Sequence, residues 1–281
     1  MAEVTTRTLA VNGVKSFLRE SGRVDSKEAV VFVHGNPGSG EDFDGLLPLV
    51  GDFSRAVVPD MPGYGQADRP RGFDYTVEGY ADHLDGLISQ LGIERVHLAL
   101  HDFGGAWGVE WASRNPTRVK SLTLFNVGVV PGYTWHKFAK VWRTPLLGEL
   151  FQATATRGAF RVALQADNPK PFPRAFVDRM YDYQDWGMKR AVLALYRATD
   201  DLSTMTQRWG SILRPYHIPT LVLWGDSDKY LPVRFASVQK DYFDAEVHVI
   251  PNAGHWPMID EPELVRDLVI PFLRKHAGAG G

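Results

Sequence analysis

The chain has 281 residues, of which 44% are hydrophobic and 23% are charged, as is usual for a soluble globular protein. A formal net charge of -2 gives no reason to expect a nucleic acid or an anionic membrane as partner. With Cys 0, disulfides, thiolate metal sites and a cysteine nucleophile are excluded. This composition, and an N-terminus without a secretory signal pattern, lead us to expect a cytoplasmic protein.

Short apolar segments alternate with amphipathic segments along most of the chain. The predicted strands are Thr8–Val11, Lys15–Glu20, Ala29–Val33, Arg55–Val58, Val96–Leu100, Ser121–Asn126, Thr220–Trp224 and Glu246–Ile250. The predicted helices are Glu41–Val50, Thr76–Leu91, Ala106–Arg114, Val233–Asp241 and Glu261–Lys275. This alternation predicts an α/β fold with a mostly parallel eight-stranded sheet and helices on both faces. Ligands of such sheets bind beyond the carboxyl ends of the strands.

The alternation stops between residues 131 and 217, where no clear strand is visible and four prolines interrupt a helical, aromatic-rich pattern. We therefore predict a core domain formed by residues 1–130 and 218–281, with residues 131–217 inserted as a helical cap. The aromatic side chains of this cap are expected to line an apolar pocket. The last residues, 277–281, are predicted to be disordered because they contain only glycine and alanine.

The most informative residue is Asp102, which follows the predicted strand Val96–Leu100 and precedes Gly104 and Gly105. A side chain at the tip of a strand–turn–helix elbow is pushed into an open site. A serine there would carry out acyl transfer. A carboxylate instead displaces a leaving group from a saturated carbon and forms an alkyl–enzyme ester. Asp102 therefore indicates the opening of an epoxide or the loss of a halide.

Other turns follow predicted strands in a fixed order: HGNP at 34–37, PDMPGYGQ at 59–66, GDSDKYLP at 225–232 and NAGHWP at 252–257. Together with the Asp102 elbow, this order resembles the α/β-hydrolase superfamily over nearly the whole chain. The resemblance implies that Asp102 is the nucleophile, Asp228 the acid and His255 the base. Asp226 competes with Asp228, but the family spacing before Pro232 selects Asp228.

The resemblance also implies an oxyanion hole built from the main-chain N–H groups of Asn36 and Phe103, with no metal or organic cofactor. The elbow around Asp102 is similar to that of epoxide hydrolases, and the segment 194–198 is similar to the one that bears a ring-opening tyrosine, here Tyr196. A second tyrosine is expected near residues 147–152, which contain none. The residues that remain open as substitutes are Tyr133, Trp135, His136, Tyr181 and Tyr183.

Two alternatives remain open. Asn36 in the first turn resembles the halide donor of haloalkane dehalogenases, although Phe103 lacks the N–H of their usual tryptophan. Phe103 also replaces the arginine of fluoroacetate dehalogenases, which argues against that activity. The other alternative is a non-catalytic protein that keeps the fold and binds an apolar ligand under the cap.

The sequence thus predicts an epoxide hydrolase that adds water to an apolar or aromatic epoxide and gives a vicinal diol. We expect a small apolar organic substrate, no nucleic-acid or membrane partner, and a monomer or homodimer. The predicted substrate-binding residues are His34, Phe103, Tyr133, Trp135, Tyr181, Tyr183 and Trp256.

Overall fold

The computed structural model describes residues 1–278. A single sheet holds the strands β1 (Val4–Val11), β2 (Val14–Ser21), β3 (Glu28–Val33), β4 (Arg55–Pro59), β5 (Arg95–Asp102), β6 (Val119–Val127), β7 (Pro219–Gly225) and β8 (Asp244–Ile250). Their spatial order is β1-β2-β4-β3-β5-β6-β7-β8. β2 is antiparallel to β1 and to β4, and the remaining neighbours are parallel. The predicted fold, a mostly parallel eight-stranded sheet, is confirmed.

The helices are α1 (Leu47–Gly51), α2 (Val77–Gln90), α3 (Phe103–Arg114), α4 (Lys137–Arg143), α5 (Leu147–Thr154), α6 (Arg157–Ala166), α7 (Arg174–Asp182), α8 (Trp186–Ala198), α9 (Leu202–Leu213), α10 (Arg234–Val238), α11 (Pro257–Asp260) and α12 (Pro262–Ala277). Within residues 1–278, no helix is both long enough and apolar enough to cross a membrane.

Both faces of the sheet are covered, because the central strands are apolar on both sides. Val31 and Val33 of β3 pack with Leu84 of α2 on one face. Val30 of the same strand packs with Val265 of α12 on the other face. Side chains alternate between the faces of a strand, so the consecutive apolar residues of β3 suit a doubly covered sheet.

Two predicted helices are shorter than the sequence pattern suggested. The region expected to form one helix over Glu41–Val50 contains a 3₁₀ turn, Gly40–Phe43, and then α1, which has Pro48 in its first turn. Proline lacks the N–H that an uninterrupted helix would need at that point, but it is well tolerated in a first turn. The region Val233–Asp241 forms α10 followed by the 3₁₀ turn Gln239–Asp241.

Residues 131–217 contain helices α4 to α9 and no strand in the described structure. The boundaries of the core and cap domains stay a prediction. Of the predicted disordered tail, Ala277 ends α12, and residues 279–281 lie outside the described residues. The parallel strands β3, β5, β6 and β7 all point their carboxyl ends toward the side of the sheet where the predicted catalytic residues lie.

Candidate active site

Asp102 is the last residue of β5 and lies in a strained turn. Its φ of 49° and ψ of -122° are unusual for a residue that is not glycine. Small neighbours make this turn possible: a Cβ on Gly104 would lie 2.2 Å from the Val33 carbonyl oxygen, and one on Gly35 would lie 2.3 Å from the Asp102 Cβ. The tight elbow therefore presents the Asp102 carboxylate at the end of the sheet.

The carboxylate of Asp102 is buried but held in its ionised form. Oδ2 accepts the main-chain N–H of Asn36 at 2.7 Å, and Oδ1 lies 3.5 Å from His255 Nε2. Burial opposes ionisation, but the hydrogen bond and charge of His255, together with the Asn36 N–H, outweigh it and lower the Asp102 pKa. The side chain makes no capping bond to α3, so the carboxylate remains free to act as a nucleophile.

His255 lies between Asp102 and Asp228. Its Nδ1 is 2.7 Å from Asp228 Oδ2, which leaves Nε2 to face Asp102. The other oxygen of Asp228 accepts the main-chain N–H groups of Tyr230 at 2.7 Å and Leu231 at 3.0 Å. Burial alone would lower the His255 pKa, but the two carboxylates reverse this effect and raise it. The imidazole is therefore protonated in the resting site.

Asn126 supports this arrangement and was not predicted as a site residue. It lies near the end of β6 with a φ of 41°. Its Nδ2 donates to Asp228 Oδ2 at 2.6 Å, and its Oδ1 accepts the Gly225 N–H at 3.1 Å. Asp226, the competing acid, binds Ser227 and the Asn252 N–H in a loop instead. The sequence feature that could have indicated this role is the position of Asn126 at the end of a predicted strand.

Tyr196 of helix α8 lines the same cavity as Asp102. Its hydroxyl accepts a hydrogen bond from Asn36 Nδ2 at 3.2 Å, and its ring packs edge-on against Phe103 with centroids 5.1 Å apart. Burial, reinforced by the Asp102 charge, raises the Tyr196 pKa well above its ordinary value. The hydroxyl therefore keeps its proton, and because its oxygen already accepts from Asn36, that proton is available to a ligand.

A cavity of about 300 Å³ lies over Asp102, between the sheet and the helices α4 to α8. Most of its wall is aromatic or aliphatic, which suits an apolar organic ligand. The predicted residues that line it are Asn36, Asp102, Phe103, Tyr133, Trp135, Tyr181, Tyr196, His255 and Trp256. The lining residues missed by the sequence reasoning include Phe138, Trp142, Gln152, Lys189 and Tyr230.

Two predicted substrate-binding residues do not line the cavity. His34 is fully buried beneath the first turn, where Nε2 accepts the Met61 N–H at 3.0 Å and Nδ1 lies 2.9 Å from the Gly35 carbonyl oxygen. Both ring nitrogens are therefore occupied in joining two loops. Tyr183 points away from the cavity and donates to Glu41 Oε1 at 3.1 Å. The structure therefore does not bring these two residues to the wall of the cavity, and their assignment to substrate binding stays a prediction.

The structure separates the residues considered as a second donor. The Tyr133 hydroxyl donates to the Tyr230 carbonyl oxygen at 3.2 Å, and that of Tyr181 donates to the Ala155 carbonyl oxygen at 3.4 Å. His136 lines the cavity, and its Nδ1 accepts the Ala139 N–H at 3.2 Å at the start of α4. Burial lowers the His136 pKa to about 4, so its ring is neutral at pH 7. The ring proton must then reside on Nε2.

The two expected oxyanion donors, the main-chain N–H groups of Asn36 and Phe103, differ in their hydrogen bonding in this structure. Asn36 already donates its main-chain N–H to Asp102. Phe103 is the first residue of α3, so its N–H has no partner within the helix. The site thus combines an ionised carboxylate that accepts one main-chain N–H, a histidine held by a second carboxylate, and a protonated phenol. Within residues 1–278, no group of three or more His, Asp or Glu side chains is arranged to hold a metal ion.

The fold and this site define a hydrolase with a nucleophile elbow at the end of a parallel sheet. A family model described as alpha/beta hydrolase fold matches residues 28–262. The chain belongs to this family.

Curated relatives within the family have different activities. A cis-3-alkyl-4-alkyloxetan-2-one decarboxylase of Xanthomonas campestris pv. campestris is 28% identical, with 89% of this chain and 89% of the relative covered. A 2-hydroxy-6-oxo-2,4-heptadienoate hydrolase of Pseudomonas putida is 28% identical, with 97% of this chain and 97% of the relative covered. These names show that the family assignment does not by itself determine the substrate.

Solved structures with the same fold cover nearly the whole chain. The haloalkane dehalogenase DatA from Agrobacterium tumefaciens C58 is 23% identical, with a TM-score of 0.84 over 98% of this chain and 97% of that one. The epoxide hydrolase CorEH is 19% identical, with a TM-score of 0.82 over 97% of this chain and 99% of that one. At these identities the likeness supports the fold, and the reaction has to be argued from the side chains.

Proposed function

We propose that this protein is an epoxide hydrolase that converts an apolar or aromatic epoxide into a vicinal diol. The observation that carries the proposal is the buried Tyr196 hydroxyl, which keeps its proton beside the nucleophile Asp102. An epoxide oxygen leaves as an alkoxide and needs a proton, and a protonated phenol supplies one.

In the first step, the Asp102 carboxylate attacks a ring carbon, and the carbon–oxygen bond of the epoxide breaks. The alkoxide takes the proton of Tyr196, so the product is a hydroxyalkyl ester on Asp102 and a tyrosinate. The protonated His255 returns a proton to Tyr196 and becomes neutral. His136 Nε2–H is a second donor that can polarise the epoxide oxygen from the cap side of the cavity.

The second step follows from the change in charge on Asp102. While that carboxylate is ionised, it helps to keep His255 protonated. Once it is an ester, this attraction is lost and the pKa of His255 falls, so the imidazole can accept a proton from water. Hydroxide attacks the ester carbon, the diol leaves with the proton of the added hydroxyl, and Asp102 is regenerated.

The oxyanion formed on Asp102 in this second step needs nearby donors. The Asn36 N–H already contacts Oδ2, and the Phe103 N–H lies one residue after the nucleophile. One such donor is typically worth about 2.7–4 kcal/mol of barrier. Asp228 orients the His255 ring and keeps a proton on Nδ1, so that Nε2 is the atom that loses and accepts protons.

A haloalkane dehalogenase is the second candidate, and the Asn36 side chain favours it. Asn36 Nδ2 lines the cavity beside Asp102 and can donate to a halide, and the Tyr196 hydroxyl is a second neutral donor. Phe103 argues against it, because the side chain after the nucleophile offers no N–H.

Product analysis separates the candidates. The protein is incubated with styrene oxide and, in parallel, with a bromoalkane, and diol and bromide are measured, with Asp102→Asn as the inactive control. Diol formation without bromide supports the proposal. Bromide release without diol overturns it in favour of the second candidate.

A third assay is suggested by the oxetanone decarboxylase relative, because an oxetan-2-one is also a strained ring. A dialkyl oxetan-2-one is supplied, and the alkene and carbon dioxide are measured. Turnover of the oxetanone in the absence of diol formation from any epoxide would also overturn the proposal.

A further inference from the structure

One wall of the cavity is a single face of α8. Tyr196, Val192 and Lys189 all line the cavity, and their spacing of four and three residues places them on one side of the helix. With a rise of about 1.5 Å per residue, Lys189 lies roughly 10 Å along the axis from Tyr196. The reacting end and the Lys189 end of the cavity are therefore well separated.

The Lys189 end of the cavity reaches the protein surface. The Lys189 side chain is half-buried, and its Nζ lies 5.2 Å from the centroid of the Trp186 ring. Trp186 itself is 59% exposed. The aliphatic stem of Lys189 thus forms part of the wall while the ammonium stays near water.

The section between the two ends has an apolar wall. The residues from the cap helices that contribute to it are Phe138, Phe151, Ala155, Ala159, Phe160, Ala163, Leu164 and Val192. Gln152 is a polar exception among these lining residues, but the wall is predominantly apolar and suits a flexible alkyl chain. The cavity therefore combines a reacting end, an apolar middle and a cationic end.

The ammonium of Lys189 lies over the Trp186 ring, but no acidic side chain of the described chain neutralises its charge. Among the lining residues of the described chain, Lys189 is the single lysine or arginine. No carboxylate within residues 1–278 lies inside 4.0 Å of its ammonium. The nearest acids along the chain are engaged elsewhere: Asp185 pairs with Arg69, and Asp182 pairs with Arg157.

We propose that the substrate is an elongated apolar acid whose carboxylate binds Lys189 while its reactive ring lies over Asp102. The identity of the ring rests on the proposed function, whereas the binding of the acid does not. A charge-assisted hydrogen bond at a partly exposed site is worth about 1 kcal/mol, which is roughly a fivefold preference for the acid over a neutral analogue.

Binding of unreactive ligands tests the acid site separately from catalysis. Decanoate and decanol are titrated calorimetrically into the wild type, Lys189→Met, Lys189→Arg and the exposed control Lys140→Met. We expect decanoate to bind about fivefold more tightly than decanol to the wild type, Lys189→Arg and Lys140→Met. Lys189→Met should remove the preference and leave decanol binding unchanged. Equal weakening of both ligands, or no effect of Lys189→Met, overturns the proposal.

A kinetic comparison then links the acid site to turnover. Epoxyundecanoic acid with a terminal epoxide and its methyl ester are supplied as a pair, and Lys189→Met should raise KM for the acid alone while kcat stays constant. If decanoate binding depends on Lys189 but no epoxide is hydrolysed, the proposed function fails and the acid site stands. If both epoxides are hydrolysed with the same KM in both proteins, the acid site fails and the proposed function stands.

Discussion

The side chain of Asn36 donates to the Tyr196 hydroxyl at 3.2 Å, while its main-chain N–H donates to Asp102 at 2.7 Å. One residue of the first turn thus contacts both the nucleophile and the phenol that would protonate the leaving group. The contact orients the phenol, because a hydroxyl that accepts from Asn36 must direct its own proton elsewhere. In the proposed reaction, Asn36 would assist epoxide opening by orienting Tyr196.

Replacing Asn36 with alanine should slow ring opening moderately. The main-chain N–H to Asp102 remains, so the nucleophile keeps its position, but Tyr196 loses its orienting donor. The loss of one hydrogen bond of about 1 kcal/mol predicts a decrease of roughly fivefold in the rate of ester formation. Rapid-quench measurement of the Asp102 ester checks this, and an equal decrease in ester hydrolysis would contradict it.

Replacing Tyr196 with phenylalanine should have a larger effect on the same step. The ring keeps its packing against Phe103 while the proton donor is lost. General acid catalysis contributes about 10²-fold or more, so single-turnover opening of styrene oxide should decrease by that order. Tyr216→Phe is the matched control, because that side chain is 47% exposed and does not line the cavity. An unchanged rate in Tyr196→Phe would exclude Tyr196 from the mechanism.

The positions of the candidate catalytic residues in the fold were predictable from the sequence because each lies at or just beyond the end of a strand. Asp102 ends β5, and Asp228 and His255 lie in the loops after β7 and β8, so neighbouring parallel strands set the positions of all three. His34 shows the limit of this reasoning: it lies two residues before Asn36, but its ring points into the protein and joins two loops. Proximity in sequence to a site residue does not determine where a side chain points.

The cap was predictable only as a helical region. The spacing of Lys189, Val192 and Tyr196 shows that they share one face of α8, but it cannot show which face lies over Asp102. That orientation is set by packing of the cap helices against one another. One such contact is between Trp142 and Tyr196, whose ring centroids are 4.8 Å apart. The role of His136 depends in the same way on the start of α4, where the Ala139 N–H determines its tautomer.

His255→Gln should stop the reaction at the ester. Asp102 can still attack, because its pKa is lowered partly by the Asn36 N–H, which the variant retains. Water is then no longer activated, so intact-mass spectrometry after incubation with the epoxide should show one added substrate mass. The adduct should be absent in the double variant that also carries Asp102→Asn. A substrate that the wild type hydrolyses without any adduct in His255→Gln would contradict the role of Asp102 as nucleophile.

Stability should depend on pH through the same histidine. Burial alone would lower the His255 pKa, but Asp228 and Asp102 raise it from 6.5 to about 10 in the folded protein. The native state therefore binds this proton more tightly than the unfolded chain does. The resulting stabilisation is fully present below the ordinary histidine pKa and is lost as pH rises toward about 10. Between pH 6.5 and pH about 10, the Tm of the wild type should therefore decrease more steeply with pH than the Tm of His255→Gln. Parallel Tm curves for the two proteins would show that His255 is not protonated between the two carboxylates in the resting site.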